Sequence, residues 1–174
     1  MDHQKYNQFS PPTRPKLDIP VTPLQKLSTI ISLLLLVGNI VYIIIEWPDL
    51  PEKFPGHFNA AGEVDRWGSK TEVWILPIMG IVLWLPLTIL EKYPHIYNYI
   101  NFTEQNAENQ YKYARSLLSF LKFFLACSFC YLSVQSIQIA KGSEFGLGVW
   151  ELPIFFGVIF SSIVIYLIKV IRLK

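Results

Sequence analysis

Four long apolar runs dominate the pattern of hydrophobic and polar positions along the chain. Uncharged stretches of 19, 18, 18 and 17 residues cover positions 27–45, 73–90, 123–140 and 152–168. Each approaches the roughly 20 residues that a helix needs to cross a hydrocarbon core of about 30 Å. Since a bilayer offers no water to backbone N–H and C=O groups, such runs form helices. The pattern predicts an all-α membrane protein, a four-transmembrane-helix bundle with spans at about 24–46, 73–91, 117–140 and 149–168.

Composition agrees with this class and argues against an ordinary soluble globule. Apolar residues make up 52% of the chain and charged residues only 16%, whereas soluble domains carry about 25% charged residues. The net charge of +2 gives no indication of nucleic-acid binding. Basic residues beside apolar spans serve more simply to meet anionic lipid headgroups, so the lipid bilayer is the expected partner.

The distribution of Lys and Arg predicts the orientation. One side of the membrane would hold eleven basic residues: Lys5, Arg14, Lys16, Lys26, Lys92, Lys112, Arg115, Lys122, Lys169, Arg172 and Lys174. The other side would hold four: Lys53, Arg66, Lys70 and Lys141. Because cytoplasmic loops carry the excess of positive charge, we expect a multi-pass protein of the cell membrane with both termini in the cytoplasm.

The parts between the spans differ in character. Residues 1–23 contain five prolines and few large apolar groups, which predicts a flexible cytoplasmic tail ahead of a membrane domain at 24–174. No Pro or Gly interrupts the chain from Thr103 to Lys141. We therefore expect a cytoplasmic helix over 103–116, with Thr103 as its N-cap, that is continuous with the third span.

The loop at 47–72 reads "WPDLPEKFPGHFNAAGEVDRWGSKTE" and is too elaborate for a plain connector. Two β-prone pieces, "HFN" and "VDRW", flank a turn in which Gly62 takes positive φ. Asn59 and Asp65 are residue types that bond nearby backbone N–H groups and fasten a turn. The loop is thus predicted to form a small extracytoplasmic β-hairpin-like cap.

The polar groups of this loop are the candidate binding residues. His57, Arg66 and Lys70 carry donors that a small turn cannot use up, and Trp67 is an aromatic of the kind found at membrane interfaces. With the turn-fastening residues, the predicted site for a ligand or partner comprises six positions: His57, Asn59, Asp65, Arg66, Trp67 and Lys70.

Catalytic chemistry has little support in the sequence. The three histidines lie in the tail, the first loop and the second loop, and no metal or cofactor motif is present. Cys127-Ser-Phe-Cys130 would lie mid-membrane, where desolvation disfavours the thiolate, so we interpret the pair as helix packing. Lys122 lies about two turns inside the third span, within snorkelling reach of the headgroups. We expect no enzyme, no cofactor and no bound metal.

The residues of the loop also carry a family resemblance. "LPEKFPGHFNAAGEVDRWGSK", with a span before it and a proline-bearing span after it, resembles the bacterial membrane family known as domain of unknown function 1648. The later "YNYINFTEQNAENQY" is similar to the stretch that follows the second span in that family. The resemblance implies no enzyme activity. The same domain forms the front part of proteins that protect some bacteria from a self-made toxic peptide, so it also implies an immunity-like or sensing role.

Two classes of function stay open at this point. The first is a non-enzymatic membrane module whose outer loop binds a peptide, a lipid headgroup or another membrane protein. The second is a small transport or membrane-enzyme component in which Lys122, His57 or Glu151 acts. The sequence offers no sign of a buried charge pair or of a convergent site, and this favours the first class.

Overall fold

The computed structural model describes residues 14–143 and 146–173. Its four long helices are α1 (Pro23–Glu46), α2 (Ile75–Leu90), α3 (Ala107–Ala140) and α4 (Glu151–Ile171). An antiparallel hairpin of β1 (Lys53–Phe58) and β2 (Val64–Ser69) lies between α1 and α2. Short 3-10 helices at Trp47–Asp49, Lys70–Trp74 and Pro94–Ile96 connect these elements. The predicted architecture, mostly helical with four apolar helices and a small hairpin after the first, is confirmed.

All four helices are long and apolar enough to cross a membrane. Their most apolar 18-residue windows have mean hydropathies of 2.4, 2.3, 1.9 and 2.5 in chain order. Most of these side chains lie on the surface of the bundle, and only 6% of the α4 window is buried. The length, composition and exposure of the helices are therefore compatible with a multi-pass membrane protein.

Helix α3 is the central element, since it packs against α1, α2 and α4. Helices α1 and α3 run side by side in the same direction. Gln25 donates to Ser116 (3.3 Å) near the start of α1, and Gln138 donates to Tyr42 (3.0 Å) near its end. Polar contacts thus fix the register of the two helices at both ends.

The start of α3 differs from the sequence prediction. Thr103 and Asn106 exchange hydrogen bonds, with the Thr103 N–H donating to Asn106 Oδ1 (2.9 Å) and the Asn106 N–H donating to Thr103 Oγ1 (3.2 Å). This pairing closes a turn over 104–106, so the helix begins at Ala107 rather than directly after Thr103. From there it continues without a break for 34 residues, about 51 Å at 1.5 Å per residue.

Residues ahead of α1 contact α3 directly. Arg115 on α3 donates to the carbonyls of Ile19 (2.7 Å) and Pro20 (2.8 Å), and the Tyr111 hydroxyl donates to that of Pro15 (3.1 Å). The sequence gives no sign of these contacts. The predicted mobility of the tail at 1–23 stays a prediction, and residues 1–13 lie outside the described residues.

A small apolar cluster joins the hairpin to the bundle. Ile43 of α1, Leu50, Phe54 of β1, Val73 and Ile137 of α3 are all at most 4% exposed and pack together. We call this the hairpin end of the bundle; the opposite end contains Pro23, Glu91 and Ala107. Burial of five apolar side chains at one point gives the hairpin a fixed position on the helices.

Candidate functional site

The hairpin tip is a hydrogen-bonded turn centred on Asn59. Asn59 Oδ1 accepts from the backbone N–H groups of Ala61 (2.9 Å) and Glu63 (3.0 Å), and its carbonyl accepts from the Gly62 N–H (2.9 Å). Gly62 has φ +75°, a conformation that side chains disfavour. The Asn59 side chain therefore fastens the turn as the sequence predicts.

The tip also docks onto the segment that leads into α4. The Gly62 carbonyl accepts from the Leu147 N–H at 3.1 Å. A Cβ at Gly62 would lie 2.5 Å from the backbone nitrogen of Gly148, closer than real contacts allow. Gly62 is thus required twice, once for its positive φ and once for this close approach.

Arg66 lies beside Glu72 on the hairpin, where three hydrogen bonds hold its half-exposed guanidinium. Its guanidinium makes two hydrogen bonds to the Glu72 carboxylate (3.1 and 2.9 Å) and one to the Gly56 carbonyl (2.6 Å). A Cβ at Gly56 or at Gly68 would overlap this ion pair. The hydrogen bonds that Arg66 donates to Glu72, together with the negative charge of that carboxylate, raise the pKa of Arg66. Arg66 therefore braces the hairpin and is not a free binding group.

The hairpin also carries exposed polar and aromatic side chains. His57 Nδ1 donates to Asp65 Oδ1 at 2.6 Å, and the two side chains are 65% and 43% exposed. Trp67 is 50% exposed and pairs with Pro55, whereas register shifts on either side of His57 interrupt the regular alternation of the strands near Asp65. We call His57, Asp65 and Trp67 the exposed triad. Here the sequence prediction for Asp65 is wrong in detail, since its carboxylate bonds His57 rather than the N–H groups of the turn.

Lys70 lies apart from the exposed triad. Its ammonium sits 4.9 Å from the centre of the Trp47 ring, and Trp47 packs against Trp74. This cation–π contact attaches the end of the hairpin to the end of α1. Of the six predicted site residues, His57 and Asp65 contact each other and Trp67 is exposed on the same hairpin, while Asn59, Arg66 and Lys70 have contacts elsewhere in the protein.

The structure also contains a buried ion pair that the sequence analysis missed. Lys122 of α3 is completely buried and donates to Glu91 Oε2 (2.8 Å) and to Thr29 Oγ1 (2.9 Å). Its ammonium also lies 5.5 Å from the Trp84 ring. The snorkelling prediction for Lys122 is wrong, because three groups on α1, α2 and its C-cap satisfy the ammonium inside the bundle. The sequence-based argument against a buried charge pair is wrong for the same reason, since Lys122 and Glu91 form one. Glu91 directly follows the second apolar run and Lys122 directly precedes the third. This placement of opposite charges at neighbouring helix ends is the sequence feature that indicates the pair.

Other candidate groups do not converge. Glu151 begins α4 at the hairpin end, whereas Lys122 lies 18 residues before the end of α3, about 27 Å along the helix. Cys130 packs with Leu36 and Ala126, and both cysteines are free thiols. Across residues 14–143 and 146–173, no three His, Cys, Asp or Glu side chains are grouped so that they could hold a metal ion.

Comparison with known proteins gives two matches. One relative, an uncharacterized protein of Archaeoglobus fulgidus, is 38% identical over 66 residues, which is 33% of this chain and 36% of the relative. The match thus spans about a third of either protein. No solved structure matches the chain. Residues 34–81, which run from the middle of α1 through the hairpin into α2, match the family described as domain of unknown function (DUF1648), and this confirms the resemblance carried by the loop.

Proposed function

We propose that this chain is a non-enzymatic, four-span integral membrane protein whose hairpin binds an extracytoplasmic peptide segment of a partner. The exposed triad of His57, Asp65 and Trp67 forms the binding surface. An immunity-like or sensing role fits this arrangement, because both roles need an outer surface that recognises a peptide and a membrane domain that responds.

The membrane placement rests on the surface of the bundle. Large apolar side chains are exposed along all four helices, including Leu34 (64%), Ile44 (58%) and Phe160 (61%). Contiguous apolar surface of this extent is typical of contact with lipid or protein. With both termini in the cytoplasm, α1 ends on the extracytoplasmic side, and the hairpin lies on that side of the cell membrane.

The binding role rests on one observation: a braced hairpin presents an exposed Trp67 and an exposed, hydrogen-bonded His57–Asp65 pair. Trp is enriched among the residues that contribute most to protein interfaces. The His57–Asp65 pair adds a donor and an acceptor on the same hairpin. Since the Arg66–Glu72 pair and the Phe54 anchor already hold the hairpin, a partner would bind without a large ordering cost.

Photo-crosslinking in native membranes tests this proposal. A photoreactive amino acid at Ser69, which is exposed at the end of β2, should give a discrete peptide or protein adduct. His57→Ala and Trp67→Ala should each reduce its yield about tenfold, since loss of an interface anchor costs about 1.4 kcal/mol or more. Both variants should retain normal abundance, because neither side chain anchors the hairpin.

Glu52→Ala is the matched control, since Glu52 is also exposed and lies just before β1. This variant should leave the adduct unchanged. An adduct of unchanged yield in His57→Ala and Trp67→Ala would overturn the proposal. Adducts with phospholipid alone would mean that the triad faces headgroups and binds no peptide.

The buried Lys122–Glu91 pair favours a second candidate function, a small transport component. An ionisable residue inside a membrane span is by default a functional candidate, and Lys122 is wholly buried. His57 and Glu151 lie at the hairpin end, so Lys122 would have to act without them. Ion flux into proteoliposomes that is abolished in Lys122→Met with Glu91→Leu, a double variant that leaves no orphaned buried charge, would support this candidate. A flux of the unaltered protein equal to that of empty vesicles would exclude it.

A further inference from the structure

A cleft at the opposite end of the bundle lies next to the buried ion pair. It has a volume of about 530 Å³. Its walls come from residues 17–21, the first turns of α1, the end of α2 and Arg115 of α3. The mouth carries Lys26 and Lys92, both exposed, and the interior contains Glu91 and Arg115. The cleft is distinct from the exposed triad and shares Thr29 and Glu91 with the buried ion pair.

Two buried polar atoms on the walls have no hydrogen-bond partner in the described part of the protein. One is a donor, Arg115 Nε, on a side chain that is 7% exposed. The other is an acceptor, Glu91 Oε1, on a side chain that is 13% exposed. A buried polar group without a partner costs about 1–3 kcal/mol. A ligand that enters between these wall side chains would supply an acceptor for Arg115 and a donor for Glu91.

The charges that line the cleft indicate which kind of acceptor it binds. Three basic side chains line the cleft, those of Lys26, Lys92 and Arg115, against the carboxylates of Asp18 and Glu91. The charge of Glu91 is already offset by Lys122. The remaining excess is positive, and a phosphate oxygen is a suitable acceptor for Arg115.

We propose that this cleft binds a phosphate-bearing headgroup that also carries an O–H or N–H donor. The phosphate accepts from Arg115 and meets Lys26 and Lys92, and the donor bonds Glu91 Oε1. Glycerol and ethanolamine headgroups have both features, whereas choline has the phosphate but no such donor. Under the four-span placement proposed above, the cleft opens at the cytoplasmic headgroup layer, where basic pockets bind lipids.

Native mass spectrometry of the delipidated full chain in detergent tests the proposal. Dioleoyl-phosphatidylglycerol and dioleoyl-phosphatidylethanolamine should bind about tenfold more tightly than dioleoyl-phosphatidylcholine, the amount expected for one hydrogen bond to a charged group. Soluble glycerol phosphate distinguishes the two sources of the headgroup. If it binds with the same preference, the ligand is a free phosphate ester; if it does not, while the lipids do, the ligand is a phospholipid.

Variants assign the binding to the cleft. Glu91→Gln replaces the charged acceptor by a neutral amide oxygen and should reduce the preference for glycerol over choline headgroups several-fold, measured on the folded fraction because the change also breaks the pair with Lys122. Lys26→Ala with Lys92→Ala should weaken the binding of all three lipids. Lys112→Ala is the control, since it removes an exposed Lys of α3 outside the cleft. Trp67→Ala should change nothing, which separates this site from the hairpin. Equal binding of the three lipids, or full binding in the double Lys variant, would overturn the proposal.

Discussion

Removal of the buried ammonium should be among the most destabilising single changes in this protein. In Lys122→Met, the Glu91 carboxylate loses the partner at 2.8 Å, and Thr29 loses the donor at 2.9 Å. Breaking a buried ion pair from one side costs about 3–5 kcal/mol, because the remaining charge stays desolvated. Glu91 lies at the end of α2 with 13% of its side chain exposed. Partial solvation therefore favours the lower end, about 3 kcal/mol.

A double-mutant cycle isolates the pair. Replacing both partners, as in Lys122→Met with Glu91→Leu, removes the orphaned charge as well and should return stability to within about 1 kcal/mol of the original protein. Lys112→Met is the matched control on the same helix. Lys112 pairs with Glu108 at 2.5 Å, but the two side chains are 47% and 62% exposed, so its loss should cost less than about 0.5 kcal/mol.

The measurement is equilibrium unfolding of each purified variant in mixed micelles, followed by circular dichroism as the fraction of denaturing detergent rises. Lys122→Met should lower the free energy of unfolding by about 3 kcal/mol, with most of this loss recovered in the double variant. If Lys122→Met and Lys112→Met cost the same, Lys122 is solvated and the assignment of a buried pair is wrong. If the loss of stability in the double variant equals the sum of the losses in the two single variants, Lys122 and Glu91 are not energetically coupled.

Two further changes test the packing of the bundle and the hairpin. Gly62→Val should lower the melting temperature and the free energy of unfolding by more than about 1 kcal/mol, because φ is +75° and the Gly148 backbone leaves no space for a side chain; a variant as stable as the original would contradict the tip geometry. Asn39→Leu should stabilise the protein by about 1 kcal/mol, since both polar atoms of this 5%-exposed side chain lack a partner among the described residues; a loss of stability by calorimetry would mean that Asn39 has a partner after all.

The features that the sequence predicts are those with local causes. Each apolar run is contiguous and long enough to form a helix that satisfies its own backbone hydrogen bonds, so the helix can be predicted from the run alone. The hairpin follows from a few neighbouring residues: two β-prone pieces and a turn in which Asn59 supplies the hydrogen bonds and Gly62 the positive φ. The predicted piece "VDRW" lies within β2, whereas "HFN" overlaps only the last two residues of β1, which begins at Lys53. The match to the family described as domain of unknown function (DUF1648) covers the same local stretch, at residues 34–81.

The features that the sequence does not predict depend on residues that are distant along the chain. Lys122 meets Thr29 across 93 positions and Glu91 across 31, and only the packing of α1, α2 and α3 brings them together. The same holds for Arg115 and the segment ahead of α1. Arg66 and Glu72 are only six positions apart, yet their pairing is not predicted either. The pairing depends on two glycines that leave room for the side chains, a steric detail that residue type alone does not give.

The orientation of the hairpin decides both proposals, because the binding surface is proposed to lie outside the cell and the cleft on the cytoplasmic side. Single cysteines at Ala60, exposed at the hairpin tip, and at Asn109, exposed near the start of α3, test it in a Cys127→Ala, Cys130→Ala background. An impermeant thiol reagent applied to intact cells should label Ala60→Cys at once and Asn109→Cys only after permeabilisation. Labelling of Asn109→Cys in intact cells, with Ala60→Cys protected, would contradict the account.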